Sequence, residues 1–193
     1  MDPVLASHAD DPEGMTKVLV AYASKNGSTE EIAEAIADEL TSHGLDVTCR
    51  SARDSDAKDV DAVILGSAVY AGRWLRPARR FLKAESDRLR HLPFWIFSSG
   101  PFGDQAAHPS EEDLRWQEPH KIISRAQELG VRGHVVFGGR LPLEPHGFVE
   151  AAMVRNTPGE NHDARDWAQI RAWATTVAEE LGAREQVEGP ESS

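Results

Sequence analysis

Residues 18–40 read VLVAYASKNGSTEEIAEAIADEL, and the fold turns on how the middle of this stretch is read. The run 17–23, KVLVAYA, is short, apolar and rich in β-formers, which marks a strand buried on both faces. ASKNGST then brings only small or polar residues, with one glycine among them. From residue 29 to residue 43, Ile32, Ala33, Ile36, Ala37 and Leu40 recur at helical spacing, and Gly44 supplies the stop. A strand that passes through such a loop straight into a helix has two readings. One is an ordinary turn with good capping residues. The other is a cradle whose hydroxyl and N–H groups close around a phosphate at the helix N-terminus.

Working outward, residues 45–50 (LDVTCR) form a second, weaker strand and residues 62–66 (AVILG) a strong third. Residues 74–90 read as a basic amphipathic helix, and residues 94–98 (FWIFS) as a fourth strand. A helix over 119–129 ends at Gly130, and residues 134–138 (HVVFG) make a fifth strand. A last helix spans 166–181, with Trp167, Ile170, Trp173, Ala174 and Val177 inward and Asp163 as its N-cap. Strands alternating with amphipathic helices predict an α/β fold, a parallel sheet covered on both sides. There is no internal repeat. The segments 99–118 and 139–162 are too long for plain turns, and long loops in such folds are often functional.

The chain has 193 residues, enough for one domain with a real core. Residues 1–15 and 183–193 read as a disordered leader and tail around a domain over 16–182. The net charge of −11 leaves no basic excess for nucleic acid. With Cys49 the single cysteine, no internal disulfide can form, and a reducing, cytoplasmic setting is expected. No apolar stretch of about 18 residues suggests a membrane span. The eight histidines show no metal-like spacing. Neither GxxxxGK[ST], GxGxxG nor GxSxG occurs.

In an open α/β sheet, ligands sit at the carboxyl ends of the strands. Strand one is followed by Ser24, Lys25, Asn26, Gly27, Ser28 and Thr29. Strand three is followed by Ser67, Ala68, Val69, Tyr70, Ala71, Gly72, Arg73 and Trp74. After strand four come Ser98, Ser99, Gly100, Pro101, Phe102 and Gly103. Tyr70 and Trp74 read either as packing residues or as surfaces on which a flat ring stacks. Together the three loops describe a site for a phosphate-tailed aromatic cofactor, with FMN the leading candidate. Lys25 either adds charge to the first loop or points to solvent. Arg73 either steadies an anion or opens a solvated helix. The basic run 73–80 reads as a solvated face or as a docking surface.

ASKNGST matches the phosphate loop of the flavodoxin superfamily, and the chain resembles that superfamily over about residues 16–181. The resemblance implies a three-layer fold with a five-stranded parallel sheet in the order 2-1-3-4-5 and FMN at the strand ends. It gives phosphate contacts to Ser24, Asn26, Gly27, Ser28 and Thr29, and flavin-ring loops to residues 67–74 and 98–103. Within the superfamily the chain most resembles the menaquinone-dependent protoporphyrinogen oxidase group. The residues that carry this are the STEEIAEAIADEL helix, the GSAV run at 66–69 with Tyr70 and Gly72, VVFGGRL at 135–141, and DWAQIRAWA at 166–174.

That resemblance implies porphyrinogen oxidation, with electrons passing through FMN to a quinone and peripheral contact with the inner face of the membrane. It names no catalytic side chain. The alternative is an FMN electron carrier between redox proteins, whose acidic surface suits docking on a basic partner. A third reading is a flavin-free interaction protein on the same fold. A homodimer is compatible with each of these.

Overall fold

In a computed structural model, residues 15–70, 72–100, 120–140 and 163–185 are described. The leader, the tail beyond residue 185, and the segments 101–119 and 141–162 lie outside them, as do Ala71, Phe102 and Gly103.

The sheet contains β1 (Lys17–Ala23), β2 (Asp46–Ser51), β3 (Ala62–Tyr70), β4 (Arg73–Trp74), β5 (Phe94–Ser99) and β6 (Gly133–Phe137). Five of these run parallel in the order β2-β1-β3-β5-β6. This is the expected 2-1-3-4-5 arrangement. The sixth strand, β4, is an addition that pairs antiparallel with the end of β3, Val69 opposite Trp74 and Tyr70 opposite Arg73. Strand order reverses between β1 and β3, and a crevice opens there at the carboxyl ends.

The helices form two outer layers. Helix α1 (Ser28–Ser42) and helix α5 (Trp167–Glu185) cover one face; α2 (Arg76–Ala84), α3 (Ser86–Leu89) and α4 (His120–Glu128) cover the other. Alternation along β1 explains the layering, since successive side chains of a strand point to opposite faces. Val18 and Val20 pack beneath α1 and α5 with Ile32, Ile36, Leu40, Ile170 and Val177. Leu19 and Ala21 pack on the other face with Phe81, Leu82, Leu89 and Leu129. Phe97, Phe137 and Trp173 close the first core as an aromatic cluster, with ring centroids 5.7 to 6.5 Å apart.

Three sequence expectations are corrected. The helix expected over 74–90 begins at Arg76, because Arg73 and Trp74 are drawn into β4 and Pro77 takes the first turn. It also breaks at Glu85, whose carboxylate accepts the Ala57 N–H at 3.2 Å. Asp163 does not cap the last helix. Asp166 Oδ1 accepts the N–H groups of Ala168 and Gln169, both at 3.0 Å. That helix also runs on to Glu185, past its expected end at Leu181. None of the described helices is long and apolar enough to cross a membrane.

Cys49 lies on the edge strand β2, half-buried against α1. Burial, aided by the nearby Glu34 and Glu30 carboxylates, pushes its thiol from 9.0 up to about 12. The native thiol therefore stays protonated where an unfolded one ionises, and its contribution to stability is lost as pH rises from 9 towards 12. Iodoacetamide at pH 8 is expected to alkylate native Cys49 at least about tenfold more slowly than the urea-unfolded chain. Equal rates would contradict the burial described.

Candidate functional site

A cleft opens at the carboxyl ends of β1, β3 and β5. It is lined by Ser24, Asn26, Ser28, Thr29, Ala68, Tyr70, Ser99 and Arg140. Three loops expected to meet from sequence do meet here. A fourth segment, the one following β6, arrives with Arg140.

The first loop is shaped by Gly27, which caps α1 at φ 81°, ψ −24°. That left-handed conformation strains any residue with a Cβ. No side chain among the described residues caps the helix, which leaves its leading N–H groups open to an external acceptor. Ser24 Oγ is buried and has no hydrogen-bond partner among the described residues. Ser28 Oγ accepts the Arg140 N–H at 3.0 Å, which leaves the serine's own proton to donate. Thr29 is 1% exposed. An orphaned hydroxyl, an uncapped helix start and a spare hydroxyl proton fit a phosphate group.

In the second loop, Tyr70 reaches back to the first: its hydroxyl accepts from Asn26 Nδ2 at 3.2 Å. Lys25 Nζ stands 5.4 Å from the centre of the Tyr70 ring, so its charge rests on the phenol face. Ala68 lines the cleft, Val69 is half-buried in the β3–β4 pair, and Gly72 makes the turn at φ 66°. Ser99 lines the cleft from β5, and the Gly100 N–H donates to the Phe137 carbonyl at 3.0 Å.

Three predicted contacts lie one layer deeper. Trp74 is 1% exposed and packs in the core under α2. Its indole N–H donates to Ser98 Oγ at 2.9 Å. A ring so enclosed has no face to offer a flavin, and the stacking expected of it is corrected. Ser98 Oγ also lies 3.2 Å from His134 Nε2. Ser67 Oγ accepts the Leu75 N–H at 2.9 Å and donates to the Ala68 carbonyl at 2.9 Å. Ser67, Ser98 and Trp74 thus hold the second and third loops in place, and Tyr70 is the described aromatic at the cleft.

Arg140 escaped the sequence reading. Its Nη2 donates to Glu31 Oε1 at 2.6 Å. Glu31 Oε2 accepts from Arg165 Nη1 at 2.5 Å, and Arg165 in turn grips Asp163 through Nε and Nη2 at 2.8 and 2.6 Å. The Arg165 side chain is only 4% exposed, whereas that of Arg140 is 37% exposed. A Cβ on Gly27 would stand 3.8 Å from Glu31 Oε1, so this carboxylate adjoins the cradle. Two guanidiniums on one carboxylate turn what would be a repulsive charge into a site that tolerates an anion.

The geometry depends on Gly138, where a Cβ would fall 1.8 Å from the Ala164 carbonyl. Ala164 N–H donates to the Gly139 carbonyl at 2.9 Å, and Arg140 bridges Asp163. Hydrogen bonds from Arg165 hold the Asp163 carboxyl below its ordinary 3.8. Its stabilising pair is therefore complete above that pH and is lost as pH falls through the lowered native value.

The family model for the Flavodoxin domain matches residues 19–166. "Probable flavodoxin 1" of Bacillus subtilis is 41% identical over 59 residues, spanning 29% of this chain and 37% of that protein. "Protoporphyrinogen IX dehydrogenase [quinone]" of Escherichia coli is 21% identical over 174 residues, 84% of this chain and 94% of its own. Among solved structures, an archaeal flavodoxin superposes with a TM-score of 0.57 at 19% identity, covering 86% of this chain and 99% of that one. The rubredoxin:oxygen oxidoreductase of Desulfovibrio gigas gives 0.58 at 18% identity, covering 86% of this chain and 36% of that one.

Replacing Arg140 with Gln is expected to weaken FMN about tenfold or more while leaving riboflavin within about twofold, because only the phosphate is charged. Titrating the apoprotein by quenching of flavin fluorescence checks this. An equal loss for both ligands would reduce Arg140 to a packing residue. Gly27→Val, forced into the left-handed region, should cost about 1–3 kcal/mol and weaken FMN as well.

Proposed function

Because the chain belongs to the flavodoxin family, we propose that it is an electron carrier, holding FMN in this cleft and exchanging electrons with other redox proteins. FMN, when bound, supplies a ring that takes up and releases one or two electrons. The chain's part is to bind and orient it. Ser24, Ser28 and Thr29 would take the phosphate with the N–H groups at the start of α1, and Arg140 would balance its charge. Tyr70, fixed by Asn26, would border the ring.

The observation that carries this reading is the character of the lining. Hydroxyls, one amide, one phenol and an ion-paired arginine surround the cleft among the described residues. Such groups grip an anion and fix a ring edge, which is what an electron carrier asks of its protein.

Porphyrinogen oxidation with a quinone as acceptor is the second reading. Its support is the long, nearly end-to-end match to the E. coli dehydrogenase. Anaerobic mixing separates the two. The carrier reading expects the flavin absorbance of the FMN-loaded protein to bleach with an NADPH-driven flavoprotein reductase or a reduced ferredoxin, and to hold steady with protoporphyrinogen. Bleaching by protoporphyrinogen, with porphyrin fluorescence appearing and colour returning on addition of menadione, would overturn it in favour of the oxidase.

A further inference from the structure

Seven of the chain's 21 Lys and Arg residues fall between positions 73 and 90, against two of its 32 acids. On a chain of net charge −11 this is a marked segregation. Arg76, Arg79, Arg80 and Lys83 are spaced i, i+3, i+4, i+7 along α2 and all are exposed, while Ala78, Phe81 and Leu82 are buried on the opposite face. Arg73, also exposed, stands directly across the β3–β4 pair from Tyr70. The cationic stripe therefore starts at the rim of the cleft and runs away from it along one helix.

Stability does not explain the stripe. The first turn of α2 contains no acid, and Leu75 gives it no side-chain cap. Cations at a helix N-terminus oppose the macrodipole, and like charges at i, i+4 repel. None of these five side chains has an ion-pair partner among the described residues. A locally unfavourable pattern kept without internal compensation marks a functional surface.

We propose that this stripe docks an acidic redox protein over the cleft, so that electrons pass between that partner and the FMN; this rests on the electron-carrier reading above. One feature favours a protein over an anionic membrane. The outward face of α2 carries no exposed large apolar side chain to enter a bilayer, Met15 being the one such residue among those described.

The test uses the FMN-loaded full chain and a reduced plant-type ferredoxin, a small, strongly acidic protein that gives up one electron to the FMN as its iron–sulfur cluster is oxidised. Stopped-flow absorbance gives the second-order rate for wild type and for R76E/R80E. For wild type the rate should fall as salt rises. For the variant it should be at least about tenfold lower at low ionic strength, with the salt dependence lost or reversed. FMN affinity and reduction by dithionite should match wild type, and the melting temperature should hold or rise because the new acids suit the helix start.

A wild-type rate that ignores salt and is matched by the variant would overturn the docking surface while leaving the carrier intact. Failure of any reduced protein to reduce the FMN would instead overturn the carrier reading. Stripe-dependent sedimentation with phosphatidylserine vesicles, or salt-sensitive self-association, accompanied by an unchanged ferredoxin rate, would assign the stripe to a membrane or to a second copy and overturn the proposal.

Discussion

The carboxylate of Glu31 sits one turn into α1 and is shared by two arginines from the far end of the chain, Arg140 and Arg165. This interaction joins the start of the first helix, the exit of the last parallel strand and the entry to the final helix. Each partner does a different job. Arg165 is buried and locked to Asp163, so it anchors. Arg140 is partly exposed and lines the cleft. The backbone of the same Arg140 presents its N–H to Ser28, which ties the fourth segment to the loop that opens α1. Without the two guanidiniums, Glu31 would place an uncompensated negative charge beside the uncapped start of α1.

The parallel sheet makes that meeting possible. Burial on both faces forces apolar runs in β1, β3 and β5, and every parallel strand delivers its carboxyl end to one edge. Small side chains are then required where three loops converge. Ser67, Ser98 and Trp74 spend their polar groups on one another and on backbone beneath the cleft. The cleft above them is left with Ser24, Ser28, Thr29, Ser99 and Tyr70.

Most of this fold is legible in the sequence because local signals agree: apolar runs, helical spacing and turn residues all point to the same alternation. The loop between β1 and α1 is legible for the same reason, since its seven residues are contiguous. What sequence hides is what separates neighbours in space from neighbours in the chain. Arg140 and Glu31 are 109 positions apart, and the sole local hint is an arginine following two glycines after a strand. Trp74 leaves two readings open. A tryptophan amid glycines and charges reads equally as packing or as a stacking surface, and the two-residue strand β4 decides for packing by folding it inward onto Ser98. Asp163 looks like a cap because it precedes a helix, but pairing with Arg165, two residues further on, claims its carboxylate and leaves the cap to Asp166.

Charge is divided along the same lines as the architecture. An acidic body carries one cationic helix face, and that face begins beside the cleft. The measurement that bears most directly on the account is a crystal structure of the protein loaded with FMN. The account predicts the phosphate within hydrogen-bond distance of Ser24 Oγ and Ser28 Oγ at the start of α1, with the flavin ring bordered by Tyr70. A flavin bound with its phosphate away from that loop, or a loop that stays empty beside excess FMN, would contradict it.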